Sequence, residues 1–97
     1  MAHILRTPQA DADLTEIWSY IARDNPAAAD KLIRQIDAAF QLIAENPEIG
    51  IRQDEIRPGL YCKPVRRWYL IFYEIGDDAV HVLRVLHGAR NYEELFK

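Results

Sequence analysis

Apolar residues recur with a helical period over the first half of the chain and with a strand-like density over the second. Leu14, Ile17, Trp18 and Ile21 sit at i, i+3, i+4 and i+7, the spacing of one helical stripe. Thr7-Pro8 precedes them, a capping hydroxyl followed by proline at the first helical position. Asn25-Pro26 repeats the start signal, and Ala29, Leu32, Ile33, Ile36, Phe40 and Ile43 form a second stripe. That helix stops near Asn46-Pro47, because the residue before proline is driven out of the helical region. So short a connection makes the two helices an antiparallel hairpin. Leu14, Ile17, Trp18, Ile21, Leu32, Ile33, Ile36 and Phe40 are expected to face a sheet, since two stripes cover each other only in part.

The sheet is read from short segments. His3–Arg6 is a short strand ahead of the first helix. After Pro47 the pattern changes: Glu48–Ile51 reads as a loop. A loosely bounded strand follows over Ile56–Val65, interrupted by Pro58-Gly59 and ending near Pro64, as suits an edge or a bulge. Trp68–Ile75 is the densest strand signal, apolar on both faces. Gly76-Asp77-Asp78 is a hairpin turn, Val80–Leu86 the returning strand, and Asn91–Phe96 a last helical turn capped by Asn91. The predicted order is β-α-α-β-β-β: an α+β fold with a helical hairpin packed on a small antiparallel sheet and a short C-terminal helix. At 97 residues this is one domain, 1–97.

Charge and cysteine narrow the setting. Twelve basic against 15 acidic residues give a net charge of −3, which argues against sequence-independent or direct sequence-specific binding of nucleic acid by the chain alone. The balance is uneven: residues 1–46 carry four bases and seven acids, and residues 47–97 eight of each. Within 51–73 there are five bases and two acids. Cys62 is the lone cysteine, so no intrachain disulfide is expected, and with three scattered histidines it makes a poor metal set. Neighbouring Lys63 is a reason for a lowered thiol pKa, although a structural role is the commoner fate of a lone strand cysteine. No leader or membrane-spanning run is apparent. A cytoplasmic protein without metal, cofactor or membrane partner is the expectation.

Most small-molecule chemistries lack their devices. None of the four glycines lies in a phosphate loop, no paired-cysteine or His-Glu-x-x-His spacing occurs, and Ser19 is the one serine, mid-helix. The exception is the last third, where Arg84 falls inside an apolar strand and His87, Arg90 and Tyr92 follow. An arginine there pairs with an acid on a helix or with Glu74, or it is presented on the open sheet face. Arg84, His87, Arg90 and Tyr92 together read either as a general acid–base and phosphate clamp or as an ordinary polar strand end.

Arg84-Val85-Leu86-His87-Gly88-Ala89-Arg90 resembles the C-terminal signature of the ParE branch of the ParE/RelE toxin superfamily. Ala12–Ile21, Leu42–Gly50, Ile56–Leu60 and Tyr69–Tyr73 resemble further blocks of that family, in the same order. The resemblance implies the toxin half of a type II toxin–antitoxin pair, with the helix-hairpin-on-sheet fold. It implies a growth inhibitor that blocks DNA gyrase without a catalytic set and is neutralised by a cognate, ParD-like antitoxin, with higher-order toxin–antitoxin assembly possible. Two alternatives accompany it: a ribosome-dependent mRNA endonuclease of the RelE kind, using Arg84, His87 and Tyr92, and a degenerate toxin that only binds antitoxin and modulates its operon. Candidate target contacts are Arg57, Arg66, Arg67, Arg84, His87 and Arg90; candidate antitoxin contacts are Trp18, Ile56, Leu60, Tyr61 and Lys63. The chain departs from the family where Tyr61 stands after Gly59-Leu60, a position commonly Arg.

Overall fold

The computed structural model describes residues 2–88 and 92–96, the side chains of 92 and 93 excepted. The elements are β1 (His3–Arg6), α1 (Pro8–Ala22), α2 (Pro26–Glu45), a 3-10 turn (Pro47–Ile49), β2 (Ile51–Arg52), β3 (Leu60–Val65), β4 (Tyr69–Ile75), β5 (Ala79–His87) and a second 3-10 turn (Tyr92–Phe96). Both helices begin as the sequence predicts. The Thr7 hydroxyl accepts from the Ala10 N–H, and the Asn25 side chain accepts from that of Ala28, each at 3.1 Å.

The sheet order is β1-β5-β4-β3-β2. β3, β4 and β5 form the antiparallel meander, but β1 runs parallel to β5, from His3 opposite Ala79 to Arg6 opposite Val82. The sheet is therefore mixed: the helical hairpin carries the chain from β1 to the opposite edge at β2, and the meander returns it to β5 beside β1. Two further differences lie at the other edge. Ile51 and Arg52 pair with Cys62 and Tyr61 as a short strand, where the sequence suggested only loop. The expected strand over Ile56–Val65 begins only at Leu60, because residues 53–59 form a turn. Asp54 holds that turn by accepting from Gly59 N and Arg52 Nη2, both at 2.9 Å, and Gly59 takes a φ of 83°. Pro64 sits beyond the short β2, where the outer side of β3 is an edge that tolerates proline.

Both helices pack on one face. Leu32, Ile36, Phe40 and Ile43 of α2 meet Tyr61, Ile71, Tyr73, Val80, Val82 and Val85 of the sheet, while Leu14, Ile17, Ile21 and Ile33 are half-buried beside them. Trp18 departs from the expected stripe. It remains 39 % exposed, with its indole N–H donating to Asp30 Oδ1 at 2.8 Å, and so ties α1 to α2 at the surface. A polar N–H on a large ring is satisfied there without burial. The Tyr73 hydroxyl, under the same core, donates to the Pro47 carbonyl (2.7 Å) and accepts from Gly50 N (2.9 Å). A Cβ on Gly50 would stand 2.5 Å from that oxygen, so glycine is what lets the loop close on the ring.

The second sheet face is apolar too. Leu60, Cys62, Phe72 and Leu86 are buried there, and the C-terminal turn lays Phe96 against Phe72, ring centroids 5.0 Å apart. Burial pushes the Cys62 thiol up to about 11, outweighing the opposite pull of Lys63. The lowered pKa considered from the sequence is thus reversed: Lys63 turns its ammonium to the Pro64 carbonyl, and the thiol lies within the apolar layer.

β5 changes neighbours halfway along. A bulge between Phe72 and Tyr73 shifts the register, so that Phe72 faces Arg84 and Tyr73 faces Val82, leaving Leu83 as the extra residue. At that level β1 has ended and the start of α1 takes over the edge of β5. Thr7 N donates to the Val82 carbonyl (3.0 Å) and the Thr7 hydroxyl to that of Leu83 (2.9 Å). Asp13 then accepts from Arg84 Nε (2.8 Å), Arg84 Nη2 (2.9 Å) and Val85 N (3.0 Å).

Ile36 and Cys62 test this packing. Ile36 is fully buried, so Ile36→Ala should cost about 2–5 kcal/mol in urea denaturation; a loss below about 1 kcal/mol would mean that the hairpin does not pack as described. For Cys62 the folded pKa lies above the ordinary 9.0, so the thiol's contribution to stability is complete below pH 9 and lost as pH rises through 11. The urea midpoint should fall over that range, and fall less in Cys62→Ala. Alkylation of the native thiol at pH 8 should be roughly 100-fold slower than in the unfolded chain, the ratio of thiolate fractions for a two-unit shift.

Candidate functional site

The cations late in the sequence do not converge. Arg84 is committed: its guanidinium grips the Asp13 carboxylate through two nitrogens, with side-chain exposures of 18 % and 7 %. The carboxylate raises the Arg84 pKa above its ordinary value, chiefly through the hydrogen bonds, against the opposing effect of burial. Of the two readings of Arg84, the pair with a helix acid is the one present, and Glu74 belongs instead to Arg57, 3.5 Å away. Arg57 precedes β3 whereas Arg66 and Arg67 follow it, so a six-residue strand of roughly 20 Å separates them. These three candidate target contacts therefore do not form one patch. Arg90, the capping Asn91 and the Tyr92 side chain lie outside the described residues.

The structure does gather Arg66, Arg67 and His87 at one end of the sheet. Trp68 and His87 are stacked, 6.2 Å between centroids and 8° between planes, and Tyr69 meets His87 edge-on at 5.3 Å. Arg67 lies over the Trp68 ring, 5.7 Å from its centre. The Gly88 N–H donates to the Trp68 carbonyl at 2.6 Å and fixes the turn to the end of β5. Beside this stack a groove of about 560 Å³ opens between α1 and the ends of β4 and β5. Ile17, Tyr20, Tyr69, Val85 and Leu86 form much of its wall, with Glu16, Arg23 and His87 as polar members. Burial holds the Tyr69 hydroxyl above its ordinary pKa, with Arg66 pulling the other way and Tyr20 adding to the rise. Tyr20, Arg23, Trp68 and Tyr69 escaped the sequence reading as site residues. They come from two segments distant along the chain, and it takes both the pairing of Tyr69 with His87 and the packing of α1 on β5 to bring them to one end.

The candidate antitoxin contacts also separate. Trp18 borders a shallow crevice of about 390 Å³ between α1 and α2 near the end of β1, with Leu14, Thr15 and Ile33 in its lining and Arg6, Asp11 and Asp37 as its charges. Leu60 and Tyr61 are 0 % and 9 % exposed, the first beneath the C-terminal turn and the second on the helix side, stacked on Tyr73 at 5.3 Å. Arg52 lies 5.3 Å over the Tyr61 ring, so the arginine missing from position 61 has a counterpart on the neighbouring strand. Ile56 and Lys63 remain half-buried near that edge.

Among the described residues no group of three or more His, Cys, Asp or Glu is placed to hold a metal ion. No helix among them is long and apolar enough to cross a membrane. The surface features are an aromatic–cation stack beside a mixed groove at one end of the sheet and a crevice between the two helices.

Comparison with known proteins gives these surfaces a family. The model of the ParE toxin of the type II toxin–antitoxin system parDE matches residues 4–92. Toxin RelE2 of Caulobacter vibrioides is 35 % identical over 91 residues, covering 93 % of this chain and 99 % of the relative. Toxin ParE1 of Mycobacterium tuberculosis is 39 % identical over 85 residues, covering 86 % of each. In structure, the chain is similar to the chromosomal ParDE toxin–antitoxin system of P. aeruginosa, with a TM-score of 0.76 at 21 % identity over 90 % of this chain and 96 % of that one. It is also similar to YafQ of E. coli, with a TM-score of 0.61 at 11 % identity over 92 % and 96 % of the two chains. The α+β fold, the helix-hairpin layer and a sequence match along nearly the whole chain place it in one group: the chain belongs to the ParE toxins of type II toxin–antitoxin systems, within the ParE/RelE superfamily.

Proposed function

We propose that the chain arrests growth by binding DNA gyrase, and that a cognate antitoxin neutralises it by covering the outer face of the helical hairpin. The observation that carries this reading is the commitment of Arg84. RNA cleavage requires one group to take the 2′-hydroxyl proton, another to protonate the leaving oxygen, and cations to hold the phosphate. Arg84 is the central cation of the nuclease set read from the sequence, and its guanidinium is bound to Asp13. His87 is packed between Trp68 and Tyr69 at the sheet end. Blocking an enzyme asks only for a surface that binds, which the exposed Arg66-Arg67-Trp68 turn supplies. For the antitoxin, Trp18 is the accessible aromatic anchor on the hairpin, and Leu60 and Tyr61 withdraw from the contact set because the chain buries them itself. The match to a family defined by toxin–antitoxin pairs supports the antitoxin as partner.

The relatives carry both ParE and RelE names, so the test separates the two activities. On induction, DNA breaks and an SOS response should precede the stop in translation, and the purified chain should inhibit supercoiling by gyrase. Cleaved mRNA in ribosome-loaded extracts, abolished by His87→Ala, would overturn the gyrase reading in favour of an endonuclease. Arg84→Ala is the wrong probe for either, because it strands the buried Asp13 carboxylate and unsettles the fold.

A further inference from the structure

The end of the molecule where α1 meets the β3–β4 turn has three features that packing does not require. Trp68 is 56 % exposed and Tyr20 71 %, two large aromatic rings left in solvent beside the same groove. Arg66 adopts a φ of 55°, the one positive value at a non-glycine among the described residues. Glycine or asparagine would take that conformation at lower cost, and a side chain kept in a strained turn points to use rather than to folding. Arg66 and Arg67 are exposed, and neither has a carboxylate partner among the described residues. Tryptophan, tyrosine and arginine are the residue types that dominate binding energy at protein interfaces.

We propose that this end is the docking face for an acidic protein surface, with Arg66, Arg67 and Trp68 as anchors and the groove between Tyr20 and Tyr69 as the socket for one protruding apolar side chain. The assignment rests on the reading of the chain as a toxin that acts by binding. Charge complementarity selects the partner. The turn beside the groove presents two adjacent exposed guanidiniums, Arg66 and Arg67, with no carboxylate partner among the described residues, and the groove wall itself is largely apolar. A phosphate backbone fits less well, because it offers no apolar side chain to the groove and two or three cations release too few counterions for firm binding. An acidic protein loop carrying an aliphatic or aromatic residue satisfies both halves of the site.

The test uses three variants of the whole chain: Arg66→Gly, Arg67→Glu and Trp68→Ala. Arg66→Gly relieves the positive φ, so it should melt at or above the wild-type temperature while losing affinity, a combination that a purely structural role does not produce. Each variant should bind immobilised gyrase about 10-fold or more weaker and relieve growth arrest, with Arg67→Glu the most severe. Folded variants that bind and arrest growth like the wild type would overturn the proposal. A short labelled oligonucleotide, bound as tightly as gyrase and released by Trp68→Ala, would overturn it in favour of nucleic acid. Failure of the gyrase reading looks different: the wild type then leaves gyrase untouched while still arresting growth. In that case the growth assay alone judges the face, which fails if the three folded variants remain toxic.

Discussion

The Asp13 carboxylate accepts three hydrogen bonds from β5, two from the Arg84 guanidinium and one from the Val85 backbone, and the arrangement of the layers depends on it. β1 lines β5 only as far as Val82. Beyond that point the backbone of β5 would face a missing strand, and a buried N–H without a partner costs free energy comparable to a lost hydrogen bond. Thr7 and Asp13 replace the strand with helix side chains, so α1 is both the neighbour and the cover of the sheet edge. The bulge at Leu83 lies where this exchange happens. Val82 and Val85 keep to the helix face on either side of it, and Leu83 and Leu86 keep to the other. A carboxylate this buried is tolerable only because a guanidinium faces it in a fork.

The helices were legible because their signals are local: two caps, two prolines and two stripes at helical spacing. β4 and β5 were legible for a similar reason, a dense apolar run and a short turn. The parallel placement of β1 was not, since four residues carry no mark of which neighbour they choose. β2 was hidden by its length, two residues whose pairing depends on β3. Asp13 did leave a sign. It falls on the apolar stripe at Ala10, Leu14, Ile17 and Ile21, and an acid on a stripe calls for a buried cation, as Arg84 in an apolar strand calls for an acid. Reading those two anomalies together would have matched them. The apolar character of β4 on both faces likewise signalled a second layer, which Phe96 provides.

The site was less legible than the fold because it is made of ends. Tyr20 lies near the end of one helix, Arg66 to Trp68 in a turn and His87 at the end of a strand, and no sequence period links them. Cations counted along the chain looked like one patch, yet the three-dimensional order splits them into three fates. Arg84 serves the fold, Arg57 meets Glu74 at the far end of the sheet, and Arg66 with Arg67 stays in solvent. On the proposed reading of the chain as a toxin that acts by binding, the Arg84–Asp13 junction holds the scaffold while the exposed turn makes the contact, and the crevice by Trp18 is left to the antitoxin.

The claim that Arg84 and Asp13 form one structural unit is most directly tested by a double-mutant cycle in urea denaturation, with Asp13→Ala, Arg84→Ala and the pair. Arg84→Ala strands the buried Asp13 carboxylate and should cost about 3–5 kcal/mol, and Asp13→Ala, which leaves the partly buried Arg84 unpaired, somewhat less. The double variant should cost well below the sum, with a coupling of about 2 kcal/mol. Additive losses, or an Asp13→Ala cost below about 0.5 kcal/mol, would contradict the account and return Arg84 to the candidates for target contact.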